Sequence, residues 1–335
     1  MRLPALLLAA TALAGATAQA APGYKLAATI PLAGETRWDY LTFDPGTGRV
    51  FIAQGSQVTA VDAKTLAVAG HVEGLLGAHG VVVVPRGHGY AASGKDGTVH
   101  VFDPATLKTL AVIKVQKDAD ALAYDTVSHA VYAISRDAGA ISVIDTRSDR
   151  LTATIGTGAE MEFAGADGHG ALLVNAVATG ALLRIDTAAK RLTERWGMPG
   201  CDAPHGLAVD IAQNHVFVSC ANDRMTVLDT TNGQIIATPA IGHGSDAAAI
   251  DPARGVAFSS NGDGTLSVID TTSLAALPSL TTAPGARTMA VDTVSGAVFL
   301  VTAKRTGHDA AGPGGERRPS YEPGSTVLLI FKPTS

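Results

Sequence analysis

Six ionisable side chains fall at one register position of a repeating pattern: Asp39, Asp120, Glu162, His205, Asp246 and Arg287, with Gly80 at that place in the remaining copy. One residue earlier, Trp38, His79 and Met161 add bulk and a second imidazole. These residue types define the chemistry open to the set. Imidazoles and carboxylates ligate divalent cations; His79, His205 and Asp246 are the first candidates for a Zn²⁺-like ion, and the carboxylates alone would suit a hard ion such as Ca²⁺. A Glu near a His can divide acid and base work, and an Arg can steady a carboxylate or an oxyanion. Four carboxylates brought together repel one another unless a cation, an arginine or a proton intervenes. A hydrated ring of internal salt bridges would use the same residues, so a binding role and a purely structural one both stand at this point. No His-x-His or other closely spaced ligand pair occurs, so any metal set must be assembled from distant parts of the chain.

Something must bring residues spread over 250 positions into one place, and the pattern around them supplies it. In Gly244–Leu274 an alternating segment ends in the turn signal Asp251-Pro252, and a second short strand follows. Asn261-Gly262-Asp263-Gly264 then makes a tight turn, and a third strand closes at Asp270-Thr271. The first turn recurs at Asp44-Pro45, Pro85, Asp125, Asp167, Asp210, Asp251-Pro252 and Asp292, in steps of 40 to 43 residues. The second recurs at Asp62, Asp103, Asp145, Asp186, Asp229 and Asp270, and these aspartates are expected to be turn acceptors rather than site residues. Seven copies of about four short strands predict an all-β, seven-bladed propeller of four-stranded antiparallel blades. The last copy runs out of chain, and Tyr24–Leu32 has the pattern of the missing strand, so it is expected to complete the seventh blade.

In a propeller the innermost strands line a central channel, and the connections into them lie on one face. Trp38, Asp39, His79, Asp120, Glu162, His205, Asp246 and Arg287 are therefore expected to ring the channel mouth as a ligand-binding set. The same geometry puts Cys201 and Cys220 on that face within bridging reach, and a disulfide is expected there. In the seventh copy a long Gly/Pro-rich loop, about 303–325, replaces a short turn. It carries Lys304, Arg305, His308, Arg317, Arg318 and Tyr321, as a basic lid or as a solvated insertion. His88, His100, His129, His169 and His215 fall in turns or at strand edges and are expected at the surface.

Composition narrows the class. The 335 residues are 46% hydrophobic and 16% charged, enough apolar content for one large domain over 21–335. Residues 1–20 have a basic start at Arg2, an apolar run and Ala18-Gln19-Ala20, and read as a secretory signal peptide. Without Arg2, the 25 basic residues fall to 24 against 30 acidic, a formal charge of −6. A nucleic acid is accordingly not expected as partner. No later apolar stretch reaches the ~18–20 residues of a membrane span, and a monomer in the periplasm or secreted is expected. There is no Gly-x-Ser-x-Gly elbow, and no phosphate-cradling glycine loop precedes a helix.

The order and spacing of several signatures resemble the YncE-like, YVTN-type propellers of bacterial periplasms. They are Trp38-Asp39-Tyr40, Phe163-Ala164 after Glu162, the Cys201–Cys220 segment, Ser259–Thr265, Gly285–Ala290 and Pro323–Val327. The resemblance implies an exported propeller, and related propellers include binders as well as enzymes. The expected function is a binding or scaffold protein with a small molecule, peptide or metal ion at the channel mouth. A divalent metal ion is the cofactor that the residue types admit, and no catalytic residue is assigned. The alternative is a lactonase-like hydrolase or isomerase using Glu162, His205 and Arg287.

Overall fold

The computed structural model describes residues 23–311 and 317–334, and the expected signal peptide lies outside the described residues. The aspartates that end the third strands do what their spacing suggests. Asp62 accepts the backbone N–H groups of Lys64 and Thr65 at 2.9 and 2.7 Å, and Asp103, Asp145, Asp186 and Asp270 repeat the arrangement. Hydrogen bonds from Thr65 and Thr106 first, then from Lys64 and Ala105, hold Asp62 and Asp103 below the usual carboxylate range. These carboxylates are ionised turn acceptors committed to backbone N–H groups.

Between the turns the chain forms seven four-stranded antiparallel sheets. Burial follows strand position. Second strands such as Ala130–Ser135 are buried throughout and read as continuous apolar runs, whereas fourth strands such as Arg150–Gly156 are mostly exposed. The reason is the radial stacking of blades, which covers both faces of the inner strands. Each interface between neighbouring blades has its own apolar cluster, seven in all, among them Phe51 and Phe102 between blades 1 and 2 and Tyr132 and Leu183 between blades 3 and 4.

The ring closes as the sequence predicts. Tyr24–Pro31 pairs antiparallel with Val327–Pro333, from Tyr24 opposite Pro333 to Pro31 opposite Val327, and becomes the outer strand of the seventh sheet. Ile30 and Leu32 bury their side chains against blades 7 and 1. Burial of this kind is worth ~1.5–3 kcal/mol for each side chain. No helix among the described residues is long and apolar enough to cross a membrane.

Two expectations need correcting. The segment about 303–325 is not an irregular loop, because Arg305–Ala311 and Arg317–Tyr321 pair as a two-stranded hairpin, with Arg305 opposite Tyr321. His100 is not at the surface. It sits inside the third strand of blade 2, 6% exposed, and burial lowers its pKa.

Candidate functional site

The inner strands are irregular at the ring position. In blades 1 to 5 the pairing of first and second strands skips two residues, Asp39-Tyr40, His79-Gly80, Asp120-Ala121, Glu162-Phe163 and His205-Gly206; in blade 6 it skips Asp246 alone. Such bulges turn side chains out of the pleat, here toward the channel. They also correct the alignment of blade 2. His79, not Gly80, is equivalent to Asp39, because Pro85 corresponds to Pro45 and Val84 takes the place of Asp44.

Gly80 has another task. A Cβ there would lie 2.4 Å from the Asp120 carbonyl oxygen, so a glycine is needed for the inner strands of blades 2 and 3 to approach. Gly206 plays the same part against Ala247. Gly94, in the turn after the second strand of blade 2, leaves room for the His79 ring, whose Cδ2 would stand 2.9 Å from an added Cβ.

Read around the ring, blades 1 to 6 present acid, imidazole, acid, then acid, imidazole, acid, and blade 7 presents Arg287. The structure gathers them as two groups, Asp39 with His79 and Asp120, and Glu162 with His205 and Asp246; within each group the donor atoms lie within 4.8 Å of one another. The set His79, His205 and Asp246 is thus divided between two groups. In the first, His79 Nδ1 is 2.7 Å from Asp39 Oδ2 and 3.5 Å from Asp120 Oδ1. In the second, both carboxylates already have guanidinium partners: Arg136 contacts Glu162 and, at 2.9 Å, Glu160, while Arg287 Nε lies 3.1 Å from Asp246 Oδ2. His205 Nδ1 is 3.6 Å from Asp246 and makes no hydrogen bond.

Below the ring the channel is narrowed by aromatic side chains. Tyr40 from blade 1 and Phe163 from blade 4, on opposite sides, meet with ring centroids 4.7 Å apart. The space left beside them, lined by Asp39, Glu162, Asp246 and Thr288, is about 10 Å³, on the scale of one water or ion.

This crowding sets the protonation. Burial, then the charge of Asp39, pushes Asp120 up to about 7, against the pull of His79 and Arg136. Burial and the charge of Asp120 push Glu162 up to about 9 in spite of Arg136, with Asp246 and Asp39 adding to the rise. Burial pulls both histidines down. For His79 the hydrogen bond and charge of Asp39 and the charge of Asp120 outweigh it, so its pKa is raised; for His205 burial wins and its pKa is lowered. Tyr40 is driven well above its ordinary value by burial and by Asp120, Glu162, Asp39 and Asp246.

The hairpin stands at the rim. Tyr321 packs on Trp38 with centroids 5.0 Å apart, and the Gly324 N–H donates to Thr36 Oγ1 at 2.9 Å. Lys304 pairs with Glu322 at 2.9 Å. The side chains of His308, Arg317 and Arg318 lie outside the described residues. The expected disulfide joins Cys201 to Cys220, and Cys220 pairs with Pro204 next to the bulge that carries His205. Asn175 holds the same segment by donating to the His205 carbonyl at 2.6 Å.

Arg136, Glu160 and Tyr40 are the members of this constellation that motif reasoning passed over. Arg136 did leave a signal. In the seven copies the residue just after the second strand is Gly55, Gly94, Arg136, Val177, Ala221, Gly262 or Ala303, and Arg136 alone is charged. No protein-family model matches the chain, and no curated protein matches it significantly.

Proposed function

We propose that the protein is an exported, YncE-like propeller that binds a positively charged ligand at its channel mouth: a divalent cation, or an amine or guanidinium group on a small molecule or peptide. The observation that carries this reading is a surplus of acid groups in a narrow cup, part of it held at neutral pH by protons on Asp120 and Glu162 that an arriving cation would displace. Asp39, Asp120, Glu160, Glu162 and Asp246 converge there, while Arg136 and Arg287 are the only arginines or lysines that pair with any of them among the described residues. The carboxylate oxygen Oδ1 of Asp120 is buried and has no hydrogen-bond partner. Export is supported by the character of residues 1–20 and by the disulfide, a bond of oxidising compartments.

The test is calorimetry on residues 21–335 at low salt with Zn²⁺, spermidine and arginine methyl ester, and with glutarate as an anionic counterpart. At least one cation should bind and weaken as salt rises. Binding of glutarate with no cation bound would overturn the reading.

A hydrolase reading has one observation in its favour: Glu162 is held protonated beside a His205 held neutral, a pairing suited to acid and base roles. It is weakened because Asp246 engages Arg287, the group that would steady an oxyanion. Turnover of a lactone panel that is lost in Glu162→Gln would establish it in place of simple binding.

A further inference from the structure

We propose that Asp39, His79 and Asp120 form a single divalent transition-metal site, and that the companion group Glu162, His205 and Asp246 does not. The proposal rests on the cationic-ligand reading and names which cation is taken and where.

Three successive blades deliver the three donors from the same bulge position, so the site is repeated architecture put to one use. Its distances suit a metal. Bonds of about 2.0–2.1 Å in tetrahedral geometry put neighbouring ligand atoms about 3.4 Å apart. The His79 Nδ1 to carboxylate distances of 2.7 and 3.5 Å straddle that value. A cation arriving here would replace a proton shared between the imidazole and Asp39, and small rotations of the carboxylates would complete the shell.

The second observation is Asp120 itself. The residue is 8% exposed, and its Oδ1, 3.5 Å from His79 Nδ1, has no hydrogen-bond partner. Among the described residues no lysine or arginine forms a salt bridge with Asp39 or Asp120. The companion group differs on this point: Arg136 is bound to Glu162 and Arg287 to Asp246, so a cation there would have to displace two guanidinium groups. Fixed internal cations thus occupy one half of a repeated acid, imidazole, acid motif, and the other half is left for an exchangeable one.

The donor set indicates the class of ion. One imidazole and two carboxylates favour Zn²⁺, Mn²⁺, Fe²⁺ or Co²⁺ over Ca²⁺ and Mg²⁺, which prefer oxygen alone. Three protein ligands leave a position facing the open mouth, where water or a donor atom of a larger ligand would complete the coordination.

The test uses Zn²⁺ in calorimetry and Co²⁺ in absorption spectroscopy on chelator-treated mature protein. One equivalent should bind, with Co²⁺ showing visible bands of low coordination number. His79→Gln and Asp120→Asn should each weaken Zn²⁺ at least ~100-fold, above the 10–100-fold expected when only an outer-shell partner is lost. His243→Ala, which removes the exposed His243–Asp223 pair, should change nothing. Circular dichroism confirms that each variant is folded, and two independent ligand variants guard against the loss of one. Loss of Zn²⁺ with His205→Gln but not His79→Gln, or two equivalents lost one at a time with the two histidines, would overturn the assignment. So would Zn²⁺ affinity that follows His243. If spermidine or arginine methyl ester binds and no metal does, this proposal fails while the cationic-ligand reading survives; if no cation binds, both fail.

Discussion

Raising the pH should destabilise this protein well before ordinary alkaline denaturation. Asp120 and Glu162 have folded-state pKa values of about 7 and about 9, above their ordinary 3.8 and 4.5. Between the ordinary and the raised values the folded chain keeps protons that the unfolded chain has released. Stability is therefore full below the ordinary values and is lost as pH rises through the raised ones. The rise of Asp120 alone corresponds to ~4 kcal/mol. The rise of Glu162 corresponds to ~6 kcal/mol and extends the loss toward pH 9; the two groups repel each other, so the rises do not simply add and the larger one sets the scale, ~6 kcal/mol for the pair. His79, also raised, acts in the same direction. His205 acts oppositely, since its lowered pKa restores some stability as pH climbs toward 6.5. The net expectation is a fall of roughly 4 kcal/mol between about pH 5 and about pH 9, read from urea unfolding in the presence of chelator. Asp120→Asn should flatten the profile and be the more stable protein at the alkaline end. A stability that is flat or rises over that interval, or an Asp120→Asn profile as steep as the parent's, would refute the reasoning.

Arg136→Met should cost ~2 kcal/mol at pH 9, less than the 3–5 expected for a fully buried pair because Arg136 is 30% exposed, and little at pH 5 where Glu162 is protonated; unfolding at the two pH values measures the difference. Reducing the disulfide opens a loop with a sequence separation of 19 residues, which should cost ~3 kcal/mol and weaken ligand binding through the segment that carries His205; denaturation and calorimetry with and without reductant report both. Removing residues 23–31 leaves the Val327–Pro333 edge unpaired, so the variant should self-associate or fail to fold, seen by light scattering; an unchanged monomer would contradict non-covalent ring closure. Replacing 305–321 by a short turn should cost only ~1 kcal/mol, the scale of the lost Trp38–Tyr321 contact, while changing ligand affinity.

The blades were legible because their punctuation is chemical. An aspartate that accepts two backbone N–H groups marks a turn, and five of these, with Asp229 accepting from Thr231 in the sixth copy, reveal the period. The ring was legible because ionisable residues at the start of an apolar strand need a reason. The register of blade 2 was not, since Pro85 resembles a turn marker but stands where Pro45 does, and the bulge that turns His79 inward shows only in the pairing. The split into a neutralised and an open half was hidden for another cause. Arg136 reaches Glu162 across 26 positions, from a turn whose sequence carries no motif. The hairpin was obscured by its own composition, since Gly307 and Pro319 read as loop markers yet stand in the strands of a two-stranded ribbon, where a proline can occupy an edge.

The most direct test of an open cation site at the channel mouth is anomalous diffraction from crystals of residues 21–335 soaked in Zn²⁺ and measured at the metal edge. The expected result is one strong peak about 2.0–2.2 Å from His79 Nδ1 and from a carboxylate oxygen each of Asp39 and Asp120, with no peak between Glu162 and Asp246. A mouth with no anomalous peak, while metal is found only on surface histidines such as His243, would contradict it.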